Sequence, residues 1–403
     1  MLMGSRKTVM EASSDRFVRA VQGHWETQGS AALSARRISV LADAPVSSIY
    51  HHFGSLEQLF ATSQQASLAR AKGWLADSLT QVAGLQRGFD AFPGFFAEII
   101  DEWAHAQRSL AFAWRECQLL AESNALFRPL SAEWDELWHG FWREAGARFA
   151  LGAGMPIAYR VFENESFLHM IRWRRLVDRA ALDETARVLG AWLSRRPVPE
   201  TPWRDFARAE AMRAMPDLPQ RDDTAARIVK AAAELISDAG VARLTHRAVA
   251  DRAGLTLGTV SHKFATKSAL LEAGFEGLYE ANLNRLQGGP VSLSSPNRES
   301  VLAAIGGMIL RGASVRGSDE LFVAVARDPS LSQFGLQLRY LRGRTSMGTL
   351  QTLVGEERVI TPAEAALFSS FTTSQIRSFA GVGTSLAEDS VRREIDALLD
   401  ILR

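Results

Sequence analysis

One pattern occurs twice in this chain, without an insertion or deletion, at a constant offset of 211 positions. Residues 227–270 read RIVKAAAELISDAGVARLTHRAVADRAGLTLGTVSHKFATKSAL, and residues 16–59 repeat the skeleton. Arg227 stands over Arg16, Gly240 over Gly29, Leu244 over Leu33, Arg247 over Arg36, Ala253 over Ala42, His262 over His51 and Phe264 over Phe53. With 403 residues the chain exceeds one ordinary core and suits two domains of about 200 residues each. The repeat therefore makes each half open with the same small unit.

Apolar spacing is helical nearly throughout, with few alternating β-branched runs, which predicts an all-α protein. In the first half helices are expected at about 14–27, 34–41, 45–51, 56–83, 89–105, 108–121, 124–150, 156–175 and 179–194. The second half repeats the order at about 223–238, 245–252, 256–262, 266–287, 299–312, 319–327, 331–353, 362–380 and 386–402. Between the halves lie Pro197, Pro199, Pro202, Pro216 and Pro219, which fix φ and remove amide donors, so this stretch reads as a semi-rigid connector. Its middle carries Trp203, Phe206 and Met212 at near-helical spacing, as a docking helix or a plain linker. The start, residues 1–16, has no hydrophobic signal region and reads as a floppy arm.

In the second copy Thr245 is placed to cap a short helix whose Val249, Ala250 and Ala253 face inward. Gly254 supplies the left-handed residue that turns the chain sharply. Leu255 is read as a core plug, and Thr256 caps a second short helix. Val260 of that helix points inward and Phe264 closes the mini-core. Leu257, Gly258, Thr259, Ser261 and His262 are left on an open face whose small residues admit close backbone approach to a major groove. The first copy keeps this plan with Ser34 as cap, Ile38, Ala42, Ala44, Ile49 and Phe53 as the apolar set, and Ser39 where Ala250 stands. Asp43 replaces Gly254 and is among the residues that tolerate the left-handed region. Pro45 is read at the first helical position, where its missing amide is harmless. The open face becomes Val46, Ser47, Ser48, Tyr50 and His51, so the two units should not read the same bases. A helix-turn-helix also arises as pure packing, but two in-phase copies with matching caps and turns argue against that here.

The run LT-x3-VA-x2-AG-x4-TVSHKF-x2-K-x2-L at 244–270, and SSIYHHFGSLEQL at 47–59, resemble the TetR family of bacterial transcriptional repressors. The resemblance implies two tandem units, each a three-helix DNA-binding head followed by a larger helical ligand-binding and dimerisation domain. Their expected bounds are 1–60 and 61–196, a Pro-rich linker at 197–220, then 221–271 and 272–403. In the family the tyrosine and histidine of YxHF and a later lysine contact phosphates. By that likeness Tyr50 and His52 match in the first copy, while Lys263 and Lys267 take the histidine and lysine places in the second. Ser261 replaces the aromatic and Leu56 the lysine, so each head lacks one contact. The phosphate candidates are Ser34, Tyr50, His52, Thr245, Lys263 and Lys267. The base-reading candidates are Val46, Ser47, Ser48, His51, Thr256, Leu257, Gly258, Thr259 and His262, with Ser261 on the same open face. Arg36 and Arg247 could reach backbone or base edges.

Family members also bind a small effector in the larger domain and dimerise through their last two helices. The resemblance thus implies that 156–175 and 179–194 pack on 362–380 and 386–402 as an intramolecular pseudo-dimer. Phe162, Phe167, Leu168, Ile171, Leu189 and Trp192 would then face Leu367, Phe368, Phe371, Ile376, Leu398 and Leu399. All ten tryptophans lie at or before Trp203, which assigns any aromatic-lined pocket to the first half. Its candidates are the stripe Trp134, Trp138 and Trp142 with Trp103 and Trp114, while His105, Arg108, Arg115 and His139 would orient an acidic or phenolic group. The same stripe equally well fills a large core. Phe334, Leu338, Arg339 and Tyr340 read as core and rim, and residues 311–317 as loop.

The formal net charge is +1, so charge is local: 227–270 holds seven Lys/Arg against three acids, and 16–59 four against three. The second head should therefore carry more of the phosphate binding. No apolar run suits a bilayer, and Cys117, alone in the chain, fits a reducing cytoplasm and a buried inert thiol. No paired Cys-x-x-Cys or His-Glu-x-x-His marks a metal, and Gly152-Ala-Gly154 and Gly381-Val-Gly383 lack the strand of a dinucleotide site. No cofactor is implied, and an enzyme is not expected. The expectation is a ligand-responsive repressor on an asymmetric or imperfectly palindromic duplex operator, released by a small apolar or aromatic effector. Two alternatives stand beside it. In one, the chain is a ligand-binding or protein-interaction regulator in which only the second head binds DNA. In the other, two chains associate to give four heads.

Overall fold

The computed structural model describes residues 13–85, 88–215, 219–287, 298–310, 315–379 and 385–402. They are all-α, with no strand among the described residues. The first half runs α1 (Ser13–Thr27), α2 (Ala35–Leu41), α3 (Val46–Phe53), α4 (Leu56–Gln81), α5 (Phe92–His105), α6 (Arg108–Ser123), α7 (Arg128–Arg148), α8 (Met155–Leu168) and α9 (Arg175–Ser194). After α10 (Pro202–Arg213) come α11 (Asp223–Ala239), α12 (His246–Ala253), α13 (Leu257–Lys263), α14 (Lys267–Gln287), α15 (Arg298–Leu310) and α16 (Arg316–Arg327). The chain ends with α17 (Ser332–Tyr340), α18 (Ser346–Val354), α19 (Pro362–Phe379) and α20 (Ser385–Leu402).

Two compact units form: Met1–Ser78 with Arg108–Glu136, and Leu79–Gln107 with Leu137–Arg403. The division runs inside α4 and α7, away from the Pro-rich connector. That connector is not a gap, because α10 packs into the second unit. Ala207 and Ala211 are fully buried there with Val177, Ala181, Leu336, Tyr340 and Leu341. Glu184 accepts from the amides of Trp203 (3.0 Å) and Arg204 (2.8 Å), satisfying orphan donors at the start of α10. The helix docks by its alanines, whose small size allows close approach. Of the two readings left open for this stretch the helix is the one present, and Trp203, Phe206 and Met212 stand exposed on it.

In the first unit α1 buries Phe17, Val21 and Trp25 completely, as α2 and α3 bury Ile38 and Ile49. Gln64 of α4 donates to Ala113 O (2.9 Å) and accepts from Trp134 Nε1 (3.1 Å), and Glu116 accepts from Ser30 N (3.0 Å). These bonds tie α4, α6 and the start of α7 to the turn after α1.

In the second unit α8 is buried from Ile157 to Leu168 and lies against α19, while α9 meets α19 and α20. The joint is polar as well as apolar. Asn164 donates to Ser370 Oγ (3.0 Å), which donates to Glu165 (2.6 Å). Arg160 clamps both oxygens of Glu394 (2.9 and 3.0 Å), and Trp192 Nε1 donates to Glu364 (3.0 Å). Arg377 reaches both oxygens of Asp319 (2.7 and 2.8 Å) and also Glu163. Burial works against the Arg377 charge, yet the carboxylates of Asp319 and Glu163 more than offset it and raise its pKa. Removing one partner of such a buried pair costs about 3–5 kcal/mol.

Several expected helices have different bounds. The span 331–353 is not one helix: it breaks between α17 and α18 at Gly343, which has φ +89°. A Cβ there would stand 2.5 Å from the Ala365 carbonyl carbon and the Ala366 nitrogen, so α19 crosses too closely for any other residue. The second half thus has ten helices among the described residues, one more than expected. The helix expected at 156–175 stops at Leu168, and the turn that follows is held by Asp178, which accepts from Trp173 N (2.9 Å). Helix α7 starts at Arg128, after a short 3-10 turn capped by Asn124. Gly152–Gly154 form a further 3-10 turn, and α16 begins at Arg316, inside the stretch read as loop. The arm before residue 13, residues 311–314 and the glycines at 381 and 383 lie outside the described residues.

Candidate nucleic-acid interface

Helices α11, α12 and α13 build the second head. Thr245 Oγ1 accepts from Ala248 N (3.1 Å), Gly254 turns the chain at φ +63°, and Thr256 Oγ1 accepts from Thr259 N (3.1 Å). Val249, Ala250 and Val260 are buried, while Leu255 and Phe264 are half-buried. Arg227 of α11 donates to the turn carbonyls of Ala253 (2.6 Å) and Gly254 (3.4 Å). His246 Nε2 donates to Phe264 O (2.7 Å), pinning the end of α13. Outward, Leu257 is 51% exposed, and Gly258, Ser261, His262, Lys263 and Lys267 are also exposed. Thr259 is half-buried, its hydroxyl 2.8 Å from that of Thr256. A Cβ on Gly258 would meet nothing but Thr256 Oγ1 at 3.8 Å, so this surface is open to a partner.

The charges of this face are not all idle. Lys263 pairs with Asp222 at 2.5 Å, and Asp222 also caps α11 by accepting from Ala225 N (2.8 Å). The Lys263 hydrogen bond, with that cap, holds the Asp222 carboxyl below the usual range. The pair is exposed and screened by solvent, so a phosphate can compete for Lys263. Arg252 is taken by Asp238 (2.9 Å) and Glu234 (3.5 Å). Arg247 and Lys267 are exposed and make no ion pair among the described residues.

Helices α1, α2 and α3 repeat this geometry. Ser34 Oγ accepts from Arg37 N (3.2 Å), and Asp43 turns the chain at φ +46°. Arg16 donates to Asp43 O (3.0 Å), as Arg227 does to Gly254 O. Gly29 and Gly240 share one backbone conformation, φ 75° ψ 174° and φ 80° ψ 167°. Pro45 sits one place before the first helical residue, as the N-cap itself, without a side-chain cap bond. Ser39 donates to Ala44 O (2.5 Å) across the turn, a bond that Ala250 cannot make. Ser34, Arg36, Ser47, Tyr50, His51 and His52 are exposed, Tyr50 by 52%; Val46 and Ser48 are half-buried. His52 Nε2 lies 3.4 Å from Ser13 Oγ, so the recognition helix ends against the start of α1, as Lys263 ends against Asp222.

Residues 228–273 match the family model of bacterial regulatory proteins, tetR family. The match supports a regulator of the TetR family. It covers the second head and the start of α14, and such a head marks a DNA-binding transcription regulator. No curated protein matches the chain. No described helix is long and apolar enough to cross a membrane.

The nine residues expected around an effector divide between the units. In the first, Trp114 and Trp134 are fully buried and stacked (6.4 Å between centroids), and Arg115 lies over the Trp114 ring at 4.0 Å. Arg108 is buried, 3.5 Å from Glu26. In the second, Trp103 packs edge-on to Trp138 (4.8 Å), and Trp138 and Trp142 both pack on Phe162 (4.5 and 5.0 Å). His139 lies 4.2 Å from the Tyr159 ring, and the Trp142 indole N–H is buried without an acceptor among the described residues. A cavity of about 330 Å³ in the second unit is lined by His105, Arg172, Trp173, Arg175 and Asp178, so it takes His105 alone from the nine. The signal for it in the sequence is the run Arg172-Trp173-Arg174-Arg175, three arginines flanking one tryptophan, of which Arg174 lies over the ring. Cys117 is buried and its thiol pKa is pushed up, first by that burial.

Proposed function

We propose that the chain is a ligand-responsive transcriptional repressor that binds duplex DNA as a single-chain pseudo-dimer, with heads at 1–60 and 221–271. The observation that carries this reading is the recurrence, 211 positions apart, of one cap–turn arrangement with an exposed recognition helix in each copy. The direct joint of α8 and α9 with α19 and α20 supports the pseudo-dimer. Its ion pairs cross in both directions: Glu163 on α8 meets Arg377 on α19, and Arg160 on α8 meets Glu394 on α20. Lys267, Lys263, Thr245, Ser34, Tyr50 and His52 take phosphates; α3 and α13 read base edges in the major groove. Because the two open faces differ, the operator is asymmetric or imperfectly palindromic. A small apolar or aromatic effector, acidic or phenolic at one end, shifts the balance between DNA-binding and released states. The reading places the protein with DNA in the cytoplasm.

The test is selection of bound sequences from random duplex DNA with the intact chain. Two unlike half-sites about one helical turn apart are expected. A single short half-site, unchanged when residues 45–52 are scrambled, would overturn the two-headed reading. The second reading, a regulator in which only the 221–271 head binds DNA, is favoured by the confinement of the family match to 228–273 and by Leu56 in the place of Lys267.

A further inference from the structure

We propose that the half-open cavity beside the α8–α9 turn binds a small aromatic carboxylate. This deepens the ligand-responsive reading and rests on it for its regulatory meaning, though not for binding itself. The walls are charged, but nearly every charge is already committed. Asp178 accepts from Trp173 N (2.9 Å) and Tyr340 Oη (2.7 Å) and lies 3.1 Å from Arg339. Arg175 forks onto Asp101 through two bonds of 2.5 Å. Arg174 pairs with Glu210 (3.5 Å) and covers one face of the Trp173 ring at 4.4 Å. Arg172 is exposed and has no ion pair among the described residues, so the site holds one uncommitted positive charge at its mouth.

The remaining lining suits a flat ring. Trp173 is half-buried and offers an aromatic wall, edge-on to Tyr340 at 6.1 Å. His105 donates from Nδ1 to Asp101 O (3.1 Å), and its burial, the leading cause, keeps its pKa low. The imidazole is thus neutral and leaves Nε2 to accept from a ligand hydroxyl. The cavity, at about 330 Å³, is at the small end of ligand pockets, which fits one or two fused rings. A cation would meet the Arg172 charge, and a neutral ring would leave it unused; a carboxylate pairs with it in the planar geometry that guanidinium favours. An occupant pressing on Trp173 and Arg174 bears on Asp178 and Glu210, which hold α17 and α10 to α9.

Calorimetric titration of the full chain with 2-naphthoate tests this, with 2-naphthalenemethanol as the uncharged probe. The acid is expected to bind at least tenfold more tightly than the alcohol. Arg172→Ala, at an exposed position, is expected to weaken the acid at least tenfold and leave the melting temperature unchanged, with Arg172→Lys between the two. No binding up to millimolar 2-naphthoate, or equal binding by Arg172→Ala, would overturn the site. DNA affinity is read separately. Binding of 2-naphthoate that depends on Arg172 without any loss of DNA affinity keeps the site and removes its role as effector site.

Discussion

The two heads fold the same turn by different chemistry. The second uses glycine at the left-handed residue and a histidine that staples α13 through Phe264 O. The first uses Asp43 at that residue and the Ser39 hydroxyl on Ala44 O. What the two share is deeper: an arginine from the leading helix on the turn carbonyl, and a cap three residues before the amide it satisfies. Backbone demands are thus kept while surface chemistry drifts. Where the second head shows Asp251, Arg252, Ser261 and Lys267, the first shows Val40, Leu41, Tyr50 and Leu56. Val40 is 76% exposed and Leu41 is exposed beside it, so the end of α2 is apolar where that of α12 is charged. The comparison teaches that the scaffold of such a head can be kept while the charge of its surface changes.

The strongest way to break the comparison is to collapse one head at a time. Ile49→Ala and Val260→Ala empty matching fully buried sites, and the isoleucine change costs about 2–5 kcal/mol, the valine change less. Each variant is expected to erase one half-site from the sequences selected out of random DNA while the other persists. Thermal denaturation checks the stability loss. If Ile49→Ala leaves the selected sequence whole, the first head is a scaffold without a reading function.

The turn residues sharpen the contrast at smaller scale. Gly254→Ala forces a Cβ into φ +63° and is expected to cost about 1–2 kcal/mol, whereas Asp43→Gly relieves φ +46° and should gain up to about 1 kcal/mol. Equal and opposite shifts in chemical denaturation would show that one backbone requirement rules both copies. A loss in both would mean that the Asp43 side chain is itself needed.

These turns were readable in the sequence because they depend on residue type: a hydroxyl before a helix, or a glycine or aspartate after one, narrows the local backbone to few choices. Boundaries set by tertiary contact were not. The break at Gly343 exists because α19 crosses within 2.5 Å of where a side chain would begin, and nothing in 331–353 announces α19. Likewise the spacing of Trp203, Phe206 and Met212 pointed to the wrong face of α10, since Glu184 and the space left for Ala207 and Ala211 decide how that helix lies. Trp134, Trp138 and Trp142 share the one helix α7, yet such a stripe does not say whether rings close on each other or leave room. A cavity lies beside Arg172 and Trp173, where Asp178, five residues on, accepts from the Trp173 amide across the turn.

Gly258→Ala separates fold from recognition. A methyl there meets only Thr256 Oγ1 at 3.8 Å, and alanine favours a helix by about 1 kcal/mol over glycine, so the variant should be as stable as the parent or slightly more so. On the proposed reading the same methyl occupies space that a base pair needs. Binding at the second half-site is expected to fall at least tenfold. Unchanged binding would take Gly258 off the DNA surface.

The finest test concerns one charge at one matched position, Lys267 over Leu56. Each lysine that neutralises a phosphate releases about one condensed counterion and adds about 0.9 to the slope of log affinity against log salt. Lys267→Ala is therefore expected to flatten that slope by about one, for cognate and unrelated duplexes alike. Leu56→Lys should steepen it by the same amount if the first head lies on DNA as the second does. Leu56 is half-buried at the start of α4, while Lys267 is exposed at the start of α14, so the added ammonium has to turn outward from that position. A slope that responds to Lys267→Ala but not to Leu56→Lys would confine phosphate contact to the second head, although the caps and turns of the two heads coincide.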